Sequence, residues 1–187
     1  MACVSPTRKF FLLSRFVGGS AAARRLGVAV GQRCRIYSCN VASEHWLLSI
    51  GNDVTVSSDV LFITHDGTGS LFVDDRGRRF RYAPISVGSR SFIGARATIL
   101  PGVKIGDDCV VAAGSVVSKS VPNGSVVAGN PARFITDTVE LRERGLAWPA
   151  KSDRHGSTYR KQVDSIAETN FRFEIARPKG VNQDDAT

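Results

Sequence analysis

An all-β solenoid, a parallel β-helix of about five coils, is the fold class the sequence predicts, and three observations predict it. From Val87 an aliphatic residue returns at every sixth position, through Ile93, Ile99, Ile105, Val111 and Val117. Four places after each stands a small or β-branched residue: Ser91, Ala97, Val103, Cys109, Ser115 and Val121. An earlier block keeps the same phase with Val30, Ile36, Ile50, Val56 and Phe62, and glycine follows directly at Gly31, Gly51, Gly88, Gly94 and Gly106.

A period of six matches neither a helix nor a simple alternating strand. It fits a short strand followed by a corner, three of which close one triangular turn. Successive turns stack at the usual strand spacing of about 4.8 Å. The aliphatic residue points inward onto its counterparts above and below, the small residue lets the corner close, and glycine relieves backbone strain there. A single turn cannot bury its own face, so the stack folds as a solenoid.

Two breaks interrupt the repeat. One falls between Ile36 and Ile50, around Ser43-Glu44-His45-Trp46-Leu47-Leu48, and the other between Phe62 and Val87. The second leaves about 19 extra residues over 66–84. Its two alternating runs around Asp75-Arg76-Gly77 predict a small hairpin. Loops projecting from a rigid solenoid are where substrates usually bind.

The expected organisation is a basic amphipathic helix or cap over 1–26, the repeat over 27–136 with its inserted loop 66–84, and a helical tail over 137–187. In the tail, residues 140–150 read as a short helix ended by Pro149, with Trp148 placed to pack on the last coil, and disorder is expected beyond Arg177. At 187 residues and 42% hydrophobic content, the chain has enough apolar surface for a packed core. It has no apolar run long enough to cross a membrane.

The net charge of +8 is uneven. Residues 1–35 contain Arg8, Lys9, Arg15, Arg24, Arg25, Arg33 and Arg35 and no acid. Arg15 cuts the N-terminal apolar stretch short of a secretion signal, which leaves an amphipathic helix. That helix suits either the end of the fold or peripheral contact with an anionic membrane. No nucleic-acid-binding motif accompanies the charge, so no nucleic-acid partner is expected. Cys3, Cys34, Cys39 and Cys109 show neither a CxxC pair nor metal-ligand spacing. They read as reduced thiols of a cytoplasmic protein that requires no metal.

The segment SFIGARATILPGVKIGDDCVVAAGSVVSKSVPNGSVVAGNPARFI closely resembles the hexapeptide-repeat acyltransferases. IGNDVTVSSDVLFITHDG resembles the subgroup found in surface-polysaccharide and capsule biosynthesis. The resemblance covers roughly residues 25–136. It implies a left-handed coil, against the usual right-handed crossover rule, and a homotrimer with acyl-CoA bound between subunits. The implied reaction moves an acetyl or similar acyl group from acetyl-CoA to a hydroxyl or amine of a sugar, a lipid-linked sugar or a polysaccharide precursor.

His155 lies in the polar tail, His45 in the first break, and His65 at the mouth of the long loop. The resemblance places the catalytic base at His65, in Thr64-His65-Asp66. Histidine can take the proton of an attacking hydroxyl and return it to the leaving thiolate. Either Asp66 or Glu44 is the acid that orients it. No serine or cysteine stands in a nucleophile setting, so direct transfer is expected.

Carried over by motif, Ala95 and Ala113 would meet the pantetheine arm, with Gly114 at the corner beside them. Ser118 and Lys119 would lie near the arm and phosphates, Pro131 near adenine, and Arg133 on a nucleotide phosphate. Phe92 stands where related sugar acetyltransferases often have tryptophan. Two other classes share the solenoid. A γ-type carbonic anhydrase needs three histidines around zinc, and a non-catalytic β-helix would serve only for assembly.

Overall fold

The computed structural model describes residues 6–168. Cys3 and the tail beyond Arg177 lie outside the described residues. The chain divides into two compact units, one reaching to Arg144 and one starting at Gly145.

The first unit is a parallel β-helix. Its first wall pairs Ala29–Val30, Leu48–Ile50, Ile85–Val87 and Lys104–Ile105. The second stacks Arg35–Ile36, Thr55–Val56, Phe92–Ile93, Val110–Val111 and Ser125–Gly129, and closes with an antiparallel strand, Ala132–Asp137. The third pairs Leu61–Phe62, Thr98–Ile99 and Val116–Val117. The six-residue phase is therefore the pairing register. Val30, Ile50, Val87 and Ile105 form one inward column, Ile36, Val56, Ile93, Val111 and Val127 a second, and Phe62, Ile99 and Val117 a third. These residues are buried, Val30 less fully than the rest. The small residues four places on, from Ser91 to Val121, are buried as well.

The glycines act differently from the expectation. Gly31, Gly51, Gly88 and Gly106 do not supply the left-handed backbone; they let the next coil come close. A Cβ on Gly88 would sit 2.4 Å from the carbonyl carbon of Gly106, and one on Gly51 2.8 Å from the amide of Ser89. The left-handed corner residue falls two places later. It is a non-glycine residue at Arg33, Asp53, Asp59, Arg90, Arg96 and Asp108, all with φ between 54° and 60°. Along one edge these side chains answer each other across coils. Arg33 donates to both oxygens of Asp53 at 2.6 Å, and Arg90 to both oxygens of Asp108 at 2.7 Å. The guanidinium hydrogen bonds hold both carboxyls below the usual carboxylate range. Beside them runs a column of side-chain oxygens. Asn52 accepts from the Gln32 amide, Ser89 from Asn52, Asp107 from Ser89 and Asn123 from Asp107.

The open end of the prism is covered by α1 (Pro6–Val17) and α2 (Gly19–Arg25). Phe10, Ala22 and Ala23 are fully buried there. Within 66–84 the chain folds back on itself. His65 and Asp66 pair antiparallel with Tyr82 and Arg81, and Val73 and Asp74 with Arg78 and Gly77, which makes the expected hairpin. A helix, Thr138–Gly145, follows the closing strand. The second unit holds a 3-10 turn at Lys151–Asp153 and a helix, Tyr159–Asp164, whose first turn is capped by the Thr158 hydroxyl. Trp148 is largely exposed. No helix among the described residues is long and apolar enough to cross a membrane.

Because a methyl at position 88 would meet the Gly106 backbone as well as the Asp107 carboxylate, Gly88→Ala should destabilise the protein by about 1–3 kcal/mol, as overpacking does. Thermal or urea unfolding checks it, and an unchanged midpoint would contradict the close-approach account.

Candidate functional site

The two breaks in the repeat meet in space. The first gives a 3-10 turn, His45–Leu47, with Glu44 at its N-terminal end. The second begins where the third wall runs out. Phe62 points into the core, Thr64 is buried, and His65 emerges with its side chain 46% exposed. Nδ1 of His65 lies 3.0 Å from Oε2 of Glu44. The buried Thr64 hydroxyl donates to the same oxygen. The Glu44 side chain is only 17% exposed. Burial pushes its carboxyl up, but the hydrogen bonds from Thr64 and His65 outweigh burial and hold it below the ordinary glutamate value. An ionised carboxylate only accepts. Nδ1 must therefore carry a proton, and in the neutral ring Nε2 holds the lone pair.

Asp66 faces its own loop. Its carboxylate accepts from the Thr68 amide at 3.0 Å and the Thr68 hydroxyl at 2.7 Å, and Arg81 approaches at 3.5 Å. His45, although next to Glu44, is buried, and burial pushes its pKa down. Its Nε2 has no hydrogen-bond partner among the described residues. Among those residues no three His, Cys, Asp or Glu side chains converge as a metal-ligand set.

On the other side of His65 the hairpin supplies aromatic surface. The Tyr82 ring centroid lies 5.8 Å from that of His65, Phe80 stacks on Tyr82 at 6.4 Å with 13° between planes, and Arg78 lies 4.9 Å over Phe80. Arg79 and Arg76 pair with Asp74, whereas Arg78 has no acidic partner among the described residues. Tyr82, Phe80 and Arg78 escaped the sequence reading because only the antiparallel pairing of 65–66 with 81–82 brings them to the histidine. Thr64 stands in the same motif as His65 and Asp66, and its burial against Glu44 shows only in three dimensions.

The CoA-motif residues separate into two groups. Ser118 and Lys119 follow Val117, which pairs through Ile99 to Phe62, so Lys119 stands on the same prism edge as His65, two coils on. Two strand spacings make that roughly 10 Å. Lys119 and Arg133 line one cavity of ≈ 530 Å³ together with Ala132, Phe134 and Val127. Pro131 sits in the turn just before Arg133. Ala95, Ala113 and Gly114 belong to the other margin of the third wall, where Gly114 donates to the Ala95 carbonyl at 2.8 Å. Phe92 is half-exposed on the second wall between Thr55 and Val110. A groove of ≈ 700 Å³ runs over Gly31, Gly51, Gly88 and Gly106 and contains none of the expected site residues. It is the space that the missing side chains of the glycine column leave.

Comparison with known proteins agrees with this architecture. The model described as "Hexapeptide repeat of succinyl-transferase" matches residues 84–119. Protein CapG of Staphylococcus aureus is 45% identical over 115 residues, which span 60% of this chain and 67% of CapG. A 2,3,4,5-tetrahydropyridine-2,6-dicarboxylate N-acetyltransferase of the same species is 43% identical over 61 residues, but these cover 33% of this chain and only 26% of that enzyme. The crystal structure of the hexapeptide-repeat-containing acetyltransferase VCA0836 from Vibrio cholerae superposes with a TM-score of 0.54 at 22% identity, over 72% of this chain and 89% of that one. The chain belongs to the hexapeptide-repeat acetyltransferase family.

The Glu44 carboxyl is depressed in the folded state, so its contribution to stability is present above the unfolded glutamate pKa and is lost as pH falls through the folded value. Wild type should therefore melt higher than Glu44→Gln at neutral pH, and the gap should shrink below about pH 4. Parallel melting curves across that range check it.

Proposed function

We propose that this protein transfers an acetyl group from acetyl-CoA directly to a hydroxyl or amine of a sugar or polysaccharide precursor, with His65 as the general base. The observation that carries the reading is the Glu44–His65 pair, an oriented imidazole at the mouth of an aromatic-lined loop. In the proposed step the acceptor oxygen attacks the thioester carbonyl carbon while Nε2 takes the hydroxyl proton. The tetrahedral adduct then collapses, the C–S bond breaks, and Nε2 returns the proton to the CoA thiolate. Glu44 stays ionised throughout and stabilises the transient imidazolium. Asp66 shapes the loop, since its carboxylate is engaged by Thr68 and Arg81. Exposed Tyr82 and Phe80 would stack on the apolar face of a sugar ring, with Arg78 able to reach a charged substituent.

Acetyl-CoA would run along the prism from His65 past Ser118 and Lys119, toward Arg133 and Pro131 at the nucleotide end. Ala95, Ala113 and Gly114 lie at the opposite margin of the same wall. A cyclic homotrimer of left-handed prisms makes both margins useful, because a heterologous interface sets one edge of a subunit against a different edge of its neighbour. The arm then lies between them, with Phe92 on the neighbouring wall.

His65→Ala should lower kcat by roughly 10²–10⁴ while hardly moving the KM for acetyl-CoA. A folded variant that keeps more than about a tenth of wild-type kcat/KM would mean another base. Glu44→Gln should cost less, because the amide oxygen can still accept from the ring N–H and hold the imidazole's orientation without the carboxylate's charge. Lys119→Ala and Arg133→Ala should each raise the KM for acetyl-CoA on the order of tenfold and spare the acceptor KM, as loss of a charge-assisted hydrogen bond does. Initial rates with a panel of sugar acceptors check all four variants, and light scattering checks the trimer.

A further inference from the structure

The outer face of α1 does not fit a simple end cap. A terminal cap on a solenoid needs one apolar face for the last coil and a polar face for water. The inner face is present: Phe10 is fully buried, and Leu13 and Val17 pack against the core. The opposite face is not polar. Phe11, Leu12 and Phe16 are 42%, 55% and 86% exposed. Lys9 and Arg15, also exposed, lie among them. Helical spacing puts Phe11, Leu12, Arg15 and Phe16 on the side away from the core, with Lys9 at the border between the two faces.

Charge on this part of the chain is all of one sign, since residues 1–35 contain seven Arg and Lys and no acid. Arg33 is matched by Asp53, and Arg24 is turned onto the carbonyls of Val30 and Gly31. Lys9, Arg15 and Arg25 have no acidic partner among the described residues.

We infer that α1 is a membrane-surface helix, which lays Phe11, Leu12 and Phe16 into an anionic lipid surface with Lys9 and Arg15 at the headgroups. The two features together select this occupant. A second copy docked through the same face would bring like charge against Lys9 and Arg15 and be repelled. A nucleic acid would satisfy the cations and leave three apolar side chains in water. An anionic bilayer supplies both a negative surface and an apolar layer a few ångströms below it. Because the inner face stays on the prism, docking needs no unfolding of the cap, and the catalytic unit would be held at the membrane. The inference stands independently of the acetyl-transfer reading.

The test is co-sedimentation of the full chain with vesicles of phosphatidylcholine containing about one-third phosphatidylglycerol, against phosphatidylcholine alone. Binding to the anionic vesicles is expected, at least about tenfold stronger than to the neutral ones. Near 1 M salt it should largely disappear, where the screening length is about 3 Å. Replacing Lys9 and Arg15 together by Gln should weaken it by about fivefold per charge. Leu12→Ser with Phe16→Ser should weaken it by an order of magnitude or more, and melting curves confirm that each variant keeps its fold.

Equal binding to both vesicle types, or unchanged binding by both variants, would overturn the inference. So would full binding by the Leu12/Phe16 variant alone, which would make the face a general polyanion site. A change in subunit number in that variant would make the occupant a second copy and overturn it as well.

Discussion

The structure depends on how closely successive coils approach. Parallel strand pairing holds neighbouring coils about 4.8 Å apart, and every corner must turn within that spacing. At the edge beside the first wall there is no room for a Cβ, so Gly31, Gly51, Gly88 and Gly106 repeat there. Two places further, the chain must enter the left-handed region. Where that residue is arginine or aspartate, its side chain projects outward and meets the opposite charge on the next coil, as Arg33 does with Asp53 and Arg90 with Asp108. The inward columns of valine and isoleucine then fill the triangle. Sterics, backbone conformation and surface charge therefore share one register.

A scaffold of this regularity makes its irregularities informative. The break after Ile36 and the longer insertion after Phe62 begin on adjacent coils. Because these coils are in strict register, the two excursions emerge side by side. That is how Glu44 comes within hydrogen-bond reach of His65 and Thr64 across some twenty positions. The mostly buried, doubly hydrogen-bonded carboxylate orients an imidazole that is itself half in solvent. The regular wall lies on one side of the site, and exposed aromatic surface on the loop side.

The exposed apolar residues fall into two groups with different settings. Leu71, Phe72, Val73, Phe80 and Tyr82 belong to the hairpin beside the histidine. Phe11, Leu12 and Phe16 belong to the cap, where all charge is positive. Charge around the hairpin is mixed, with Asp66 and Asp74 answering Arg81 and Arg79. One-signed charge around the cap suits an extended anionic surface.

What the sequence by itself determined is the repeat, because the period-six pattern is local and each coil repeats the same physical problem. Val87 through Val117, and the small residues between them, could be assigned to the core without coordinates, and they are there. The position of His65 at the seam was legible for the same reason, since the pattern breaks there, whereas its role as base came from the family resemblance. Sequence could not choose between Asp66, adjacent to His65, and Glu44, twenty-one positions away. It also misread the glycines as conformational relief. Both questions concern what lies on the next coil: a backbone carbonyl against Gly88, a carboxylate against His65. Such contacts follow from the stacking of coils and not from neighbours along the chain, so only the tertiary structure decided them.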